Sequence, residues 1–194
     1  MLTCQNTVTT TTRKPRKLPR GSRWTYADYC KIPPDRKRHE IIDGRHYVSA
    51  SPSVRHQWVS AHLLFELMRL ISKRGLGAVY DAPIDVHLAP GTVVVPDLVV
   101  LTPRSTIVGI KKLTGVPDLL IEILSPSNAG HDRKRKHERY ERAGVAEYWI
   151  VDPERNTIEQ FVWRDGAYGE GKIVKERIRL HVLPDVEIDL NEVW

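Results

Sequence analysis

Residues 117–153 read PDLLIEILSPSNAGHDRKRKHERYERAGVAEYWIVDP, and this stretch decides the fold class. Leu119–Leu124 is a near-continuous apolar run of strand length, which is typical of a central strand covered on both faces. The pattern then turns helical and very polar over Ala129–Ala143, and Gly144 is a natural helix end. Glu147–Val151 is a second strand. The alternation of strand and helix predicts an α/β domain with a mixed sheet.

Downstream of this stretch, the sequence predicts β-hairpins. Thr157–Trp163 has strand character and follows the turn signal Asp152-Pro153. Asp165-Gly166 is a second hairpin signal. The last segment, Ile178–Leu190, is also expected to be rich in strands. The C-terminal half of the chain is therefore predicted to carry hairpins.

Upstream, one long helix and two extended segments are predicted. Apolar residues recur at helical spacing in Val54–Arg74, and Gly75 follows as a helix stop. Ala78–Leu88 is predicted to be extended. Val93–Leu101 is predicted to be one central strand, because it is almost entirely apolar.

Before the long helix, a short helix and a hairpin are predicted. Thr25 and Asp28 resemble a capping box for a helix over Tyr26–Lys31. Asp43-Gly44 lies between two short strands and is typical of a hairpin turn. Together with the elements downstream, these predict a single domain over residues 22–194.

The N-terminal residues carry the net charge. The chain has 194 residues and a net charge of +6, and residues 1–27 contain six basic residues and no acidic one. The remaining basic and acidic residues, 24 of each, cancel. Threonines, prolines and like charges predict a disordered basic tail over residues 1–21. Two interpretations of it stay open, an arm that contacts phosphates and a solvated extension.

Composition excludes several classes of protein. No run of about 18 apolar residues occurs, so no transmembrane helix or membrane partner is expected. The first residues lack an apolar signal core. Two cysteines, Cys4 and Cys30, are too few for a multi-cysteine zinc site. We therefore expect a cytoplasmic protein.

Two carboxylates stand in apolar surroundings. Asp97 lies in VVVPDLVVL and Glu122 in LLIEIL. An ionised carboxylate inside an apolar strand is costly unless it is paired or bound to a metal. If the two strands are neighbours, the Cβ atoms approach to roughly 5 Å, which suits Mg²⁺ or Mn²⁺. The alternative is that each carboxylate accepts hydrogen bonds or an ion pair at a strand end.

The predicted polar helix is strongly basic. Residues 131–142 hold six basic and three acidic side chains. Asp132, Lys136 and Tyr140 are each four apart, so they share one helix face. A lysine beside a phosphate can stabilise developing negative charge. A solvated face with ion pairs along the helix is the alternative.

Four motifs together resemble one protein family. They are RHEIIDG at 38–44, PSVRHQ at 52–57, VVPDLVV at 94–100 and the long block at 117–153. They closely resemble the Uma-type putative restriction endonucleases, a bacterial family first catalogued as a domain of unknown function. The resemblance covers roughly residues 24–165. It implies the PD-(D/E)XK nuclease fold, a restriction-endonuclease-like mixed β-sheet flanked by helices.

The resemblance also implies a metal site. Asp97 in Pro96-Asp97 resembles the first metal ligand, and Glu122 resembles the second. Glu40 resembles an acidic residue that completes the site. The implied cofactor is Mg²⁺ or Mn²⁺, with no small-molecule cofactor.

One position departs from the family pattern. An E-X-K motif would place a lysine at position 124, where this chain has Leu124. Lys136 matches a lysine that similar proteins supply from the following helix. Asp132 and Tyr140 match positions expected to support the site or orient the helix. His56 matches a recurrent histidine, which is alternatively a polar residue at a helix start.

The resemblance thus predicts a Mg²⁺-dependent endonuclease that hydrolyses DNA, with Asp97, Glu122 and Lys136 as catalytic residues. Arg133 and Arg139 are expected to contact the DNA backbone. A homodimer is expected, because cutting two strands needs two active sites.

The alternative is a catalytically inactive module of the same fold that binds nucleic acid or a protein. Contact between Lys136 and the two carboxylates would discriminate between them. A sugar hydrolase is a third class, but no aromatic-rich segment indicates a sugar cleft.

Overall fold

The structure is a computed structural model that describes residues 23–35, 37–49, 51–107, 109, 112–125 and 131–194, with the backbone alone for residues 131–133. The predicted disordered tail, residues 1–21, lies outside the described residues. Within the described ranges, no helix combines the length and the apolar character needed to cross a membrane.

The described helices and strands follow the predicted order. The α-helices are α1 (Tyr26–Tyr29), α2 (Val54–Leu70) and α3 (His131–Ala143), and two 3-10 turns cover Ser72–Arg74 and Leu190–Glu192. The strands are β1 (Arg38–Ile42), β2 (Arg45–Ser49), β3 (Ala78–Asp81), β4 (Val86–Ala89), β5 (Thr92–Val94), β6 (Leu98–Leu101), β7 (Leu113–Thr114), β8 (Leu119–Ile123), β9 (Glu147–Asp152), β10 (Thr157–Arg164), β11 (Ala167–Tyr168), β12 (Lys172–Val174), β13 (Arg177–Arg179) and β14 (Glu187–Asp189).

Among the described residues, the largest sheet has seven strands. Its order is β11-β10-β9-β8-β6-β3, and β12 pairs with β10. β8 and β9 are parallel, whereas β6 and β8, and β9 and β10, are antiparallel. Parallel strands need a crossover connection, and α3 supplies it between β8 and β9. This central sheet confirms the predicted α/β class with a mixed sheet.

A second sheet and several hairpins complete the described strands. The second sheet has the order β2-β1-β5-β4-β7. Its β1–β2 pair is the predicted hairpin, which turns at Asp43 with a φ of 51° and Gly44 with a φ of 76°. The antiparallel pairs β9–β10, β10–β11 and β13–β14 confirm hairpins in the C-terminal half.

The prediction of one strand over Val93–Leu101 was wrong. The segment forms β5 in the second sheet and β6 in the central sheet. Pro96 lies between them and lacks the N–H that a central strand must donate. The break places Asp97 immediately before β6, where the chain passes from one sheet to the other. The extended segment Ala78–Leu88 divides in the same way, into β3 and β4.

Other local predictions are confirmed with shifted ends. Thr25 and Asp28 form the capping box, since the Thr25 side chain accepts from Asp28 N and the Asp28 side chain accepts from Thr25 N. The helix that they cap is shorter than predicted. The long helix ends at Leu70, and a 3-10 turn leads to Gly75, whose φ is 68°.

The two faces of the central sheet bury separate cores. Val59, Leu63 and Leu67 of α2 are fully buried against one face. Tyr140 of α3 belongs to the core on the other face, together with side chains of the second sheet. Burying each such apolar side chain stabilises the fold by roughly 1.5–3 kcal/mol. The central sheet is therefore covered on both sides, as its apolar strands predicted.

The side chains of β8 alternate between the two cores. Leu119, Ile121 and Ile123 belong to the core on the α2 face, and Leu120 belongs to the core on the α3 face. Successive side chains of a strand point to opposite faces. Glu122 therefore shares the face of Leu120 and points toward α3.

Candidate active site

The two conspicuous carboxylates lie on neighbouring strands. β6 and β8 are antiparallel with Leu98 opposite Ile121, so the next pair along the ladder is Asp97 and Glu122. Oδ2 of Asp97 accepts a hydrogen bond from the N–H of Ile123 at 2.7 Å. The sequence predicts that Asp97 and Glu122 approach each other if their strands are neighbours, and β6 and β8 are neighbours.

Lys136 brings a cation to Glu122 and to a third carboxylate, that of Glu40. Its Nζ lies 2.9 Å from Oε1 of Glu122 and 2.9 Å from Oε1 of Glu40. The OH of Tyr140, one helical turn later, donates to the same Glu122 oxygen at 2.7 Å. Lys136 and Tyr140 are both buried. The predicted shared face of α3 is therefore the face that contacts Glu122.

Glu40 joins the cluster from the second sheet. β1 pairs with β5 through Ile41 and Val93, which brings Glu40 to the break between the two sheets. Its Oε1 accepts from the N–H of Val95 at 2.8 Å. Its Oε2 is buried and has no hydrogen-bond partner among the described residues. A buried oxygen without a hydrogen-bond partner lowers the stability of the folded protein by about 1–3 kcal/mol. Such an oxygen is suited to bind a cation.

Asp97 is held by two side chains besides the Ile123 amide. Nη1 of Arg38 lies 2.6 Å from Oδ1, and Nε2 of His56 lies 3.3 Å from Oδ2. Arg38 was missed by the sequence analysis. It lies two residues before Glu40 on β1, so the alternation of strand side chains places both on one face. That spacing was the signal that could have identified it.

His56 occupies the first turn of α2, but its ring is not in solvent. The backbone N–H of His56 donates to Oγ of Ser53, the N-cap residue, at 3.1 Å. This hydrogen bond explains the position of His56 at the helix start. The imidazole is buried beside Asp97, and its Nδ1 has no hydrogen-bond partner among the described residues. His56 therefore supports the site as well as starting the helix.

Burial and charge push the pKa values of the two carboxyls apart. Burial raises the pKa of Glu122 to about 7; Lys136 opposes this, while Asp97 and Glu40 add to it. Burial would also raise the pKa of Asp97, but the His56 hydrogen bond and the Arg38 charge outweigh it and lower that pKa to about 2. Such divergence of neighbouring groups is typical of sites with acid–base roles.

Two other groups keep their protons at this site. Burial, followed by the charge of Glu122, raises the pKa of Tyr140 well above its ordinary value, so the phenol stays a donor. Burial lowers the pKa of Arg38, but the charges of Asp97, Glu122 and Glu40 overcome it and raise the value. The arginine is therefore a permanent cation beside the carboxylates.

The predicted DNA-contacting arginines are only partly described. The side chains of Asp132 and Arg133 lie outside the described residues. Nε of Arg139 lies 3.5 Å from Oδ1 of Asp43, and 12% of its side chain is exposed. Arg142 binds the other Asp43 oxygen at 2.7 Å. Arg139 thus contacts the β1–β2 turn, and a phosphate would have to share or replace that contact.

The aromatic pair of β9 belongs to the core. Tyr148 and Trp149 are almost fully buried, on opposite faces of the central sheet. Neither ring is therefore available to stack on a base.

The carboxylates fit a hard divalent cation. In the described part of the chain, no group of three or more His, Cys, Asp or Glu side chains is close enough together to hold a metal as the side chains stand. Mg²⁺, however, is commonly bound by one or two carboxylates together with substrate phosphates. Glu40 and Glu122 meet at Lys136, and the buried, unpartnered Oε2 of Glu40 is the oxygen that such an ion would take.

Comparisons with known proteins identify the fold and the family of the chain. A comparison with curated proteins gives no match. A solved structure, a putative nuclease belonging to DUF820 from Anabaena variabilis, aligns with a TM-score of 0.71 and 16% identity over 87% of this chain and 96% of that chain. At that identity, the alignment shows a shared fold. The family model described as Uma2, putative restriction endonuclease, matches residues 26–191. The chain therefore belongs to the Uma2 family of putative restriction endonucleases.

Proposed function

We propose that the protein is a Mg²⁺- or Mn²⁺-dependent endonuclease that hydrolyses DNA phosphodiester bonds. The observation that carries the proposal is the convergence of Glu40, Glu122 and Lys136 beside Asp97. Family membership supports nuclease chemistry, and the site supplies carboxylate oxygens and a buried ammonium for it.

In this proposal Glu40, Glu122 and Asp97 hold the cation after their side chains move closer together, because as they stand no three of them can hold one ion. A bound divalent ion supplies a Lewis acid that activates water and neutralises the scissile phosphate. Lys136, fixed by two carboxylates, places a positive charge where the phosphate would carry developing negative charge. Tyr140 orients Glu122, and Arg38 and His56 orient Asp97.

We also propose that the enzyme acts as a homodimer, because cutting both strands of a duplex needs two active sites. Conversion of supercoiled plasmid directly to linear DNA supports paired sites. Nicked circles as the sole product, from a protein that sediments as a monomer, would contradict the dimer and leave the nuclease proposal standing.

The deciding experiment is cleavage of supercoiled plasmid at low salt with Mg²⁺ or Mn²⁺, and with EDTA as the metal-free arm. Wild type is compared with Asp97→Asn, Glu122→Gln and Lys136→Met. Glu66→Gln is a matched control, because Glu66 is a buried glutamate that pairs with Arg69 on α2, outside the site. Thermal unfolding of every variant verifies that it folds.

We expect metal-dependent nicking that falls at least 100-fold in the three site variants and persists in Glu66→Gln. Cleavage that survives Lys136→Met would remove the lysine from the catalytic set and keep the metal site. A folded wild type that binds DNA but never cuts it would favour the inactive binding module.

A further inference from the structure

A second polar feature lies next to the site. A cavity of about 650 Å³ opens between the β1–β2 hairpin and α3. Its charged lining consists of Arg23, Arg45, Arg135, Arg142, Asp43 and Glu138. Four guanidinium groups against two carboxylates leave a formal excess of two positive charges.

Two arginines of this cavity, Arg23 and Arg45, are available to an anion. Arg23 and Arg45 are exposed, and no carboxylate of the described residues lies within ion-pair distance of either. Cζ of Arg135 lies 4.2 Å from the centre of the Tyr47 ring, which orders its planar group before any ligand arrives. Guanidinium groups bind phosphate oxygens through paired hydrogen bonds. The lining therefore suits phosphates.

β1 and α3, which carry Glu40 and Lys136 of the site, both continue from the site to the cavity. Lys136 contacts Glu40, and further along both elements Arg142 contacts Asp43. β1 and α3 thus pass from the carboxylates to the cavity side by side. Two residues of strand, from Glu40 to Ile42, span roughly 7 Å, and six residues of helix, from Lys136 to Arg142, span about 9 Å. That distance corresponds to roughly one to three nucleotides of a DNA strand, whose phosphates repeat every ~3.4 Å along the helix axis and are spaced more widely along the backbone itself.

We propose that this arginine-lined cavity binds the phosphate backbone of the DNA strand within about three nucleotides of the bond that is cut. The inference rests on the proposed function, because it assigns the substrate's flanking backbone to a surface beside the proposed active site. It names contacts to Arg23, Arg45, Arg135 and Arg142, which neither the motifs nor the family match indicate.

The test measures binding without cleavage. Fluorescence anisotropy of a labelled 20-base-pair duplex is recorded in EDTA between 50 and 200 mM salt. The double variant Arg23→Ala/Arg45→Ala is compared with Lys73→Ala/Arg74→Ala, which removes the same charge from exposed positions after α2, on the opposite side of the central sheet. Loss of two phosphate contacts lowers the slope of log affinity against log salt by about 1.8.

We expect that slope change, and an affinity loss of about tenfold at 100 mM salt, in the cavity variant alone. Equal changes in both double variants, or none in the cavity variant, would overturn the inference. If wild type cuts plasmid while the cavity variant binds normally, this inference fails and the proposed function stands. If no metal supports cutting but the slope change is found, the binding cavity stands and the proposed activity fails. A wild type that does not bind the duplex at 50 mM salt would overturn the cavity as a DNA site.

Discussion

Lys136 on α3 lies 2.9 Å from Glu122 on β8, so a helix supplies the ammonium that an E-X-K motif would take from the strand itself. Leu124, at the strand position where that motif has its lysine, packs against the apolar core of the α3 face. The charge therefore reaches the carboxylates from across the helix–sheet contact. In the proposed mechanism, the chemistry depends on where the ammonium lies and not on which element carries it.

Replacing Lys136 by methionine should abolish cleavage and also destabilise the protein. The change leaves Glu40 and Glu122 buried without their shared cation, which costs about 3–5 kcal/mol. Urea unfolding in EDTA measures the stability, and plasmid nicking measures the activity. Lys134→Met on the same helix is the control, because 82% of that side chain is exposed. The double variant Lys136→Met/Glu40→Gln should recover stability but not cleavage, and recovery of both would refute a catalytic lysine.

Moving the lysine back to the strand should restore part of the activity. Position 124 shares the face of Glu122, because the two are two residues apart along the strand. In an inactive Lys136→Ala background, Leu124→Lys should raise the nicking rate about tenfold if only the ammonium position matters. The matched control is Leu124→Met in the same background, which keeps an apolar side chain. Equal rates for the two double variants would show that α3 is indispensable.

Asp97 should make folding sensitive to acid. Its pKa is about 2 in the folded protein, below the ordinary value of 3.8, so its stabilisation is complete above about pH 4 and is lost as pH falls through 2. That difference corresponds to about 2 kcal/mol. The free energy of unfolding of wild type in EDTA should fall over this range more steeply than that of Asp97→Asn. Parallel curves for the two proteins would contradict the ion pair with Arg38 and the His56 hydrogen bond.

Glu147 should be structural and not catalytic. Its buried carboxylate accepts from Trp149 Nε1, Gln160 Nε2 and the amides of His181 and Val182 at 2.6–3.0 Å. Glu147→Gln would turn an amide group toward some of these donors and lower the free energy of unfolding by about 2–3 kcal/mol. Plasmid nicking should keep its wild-type rate below the unfolding transition.

Glu187→Gln is the control for this change. Glu187 forms a surface ion pair with Arg179, and such pairs contribute at most about 1 kcal/mol. Equal losses of stability in Glu147→Gln and Glu187→Gln would show that the four hydrogen bonds to Glu147 do not hold the C-terminal segment in place.

Much of the local structure was predictable, because its causes are local. The capping box at Thr25, the Asp43-Gly44 turn and α3 each depend on residues within a few positions of one another. Asp97 and Glu122 were also predictable as candidates, because a charge inside an apolar strand stands out without knowledge of its partner. The shared face of Lys136 and Tyr140 followed from helical periodicity alone.

The partners of those residues were decided by the tertiary structure. Arg38 contacts Asp97, which is 59 positions away in the sequence. Lys136 contacts Glu40, which lies on the second sheet, as well as Glu122 on the central sheet. Periodicity tells which face of an element a side chain occupies, but not which element will face it. The sequence by itself therefore determined most helices and hairpins, the two unusual carboxylates and the family resemblance. Only tertiary packing decided that the run at Val93–Leu101 divides between two sheets, because the missing N–H of Pro96 ends one ladder and long-range pairing selects the next.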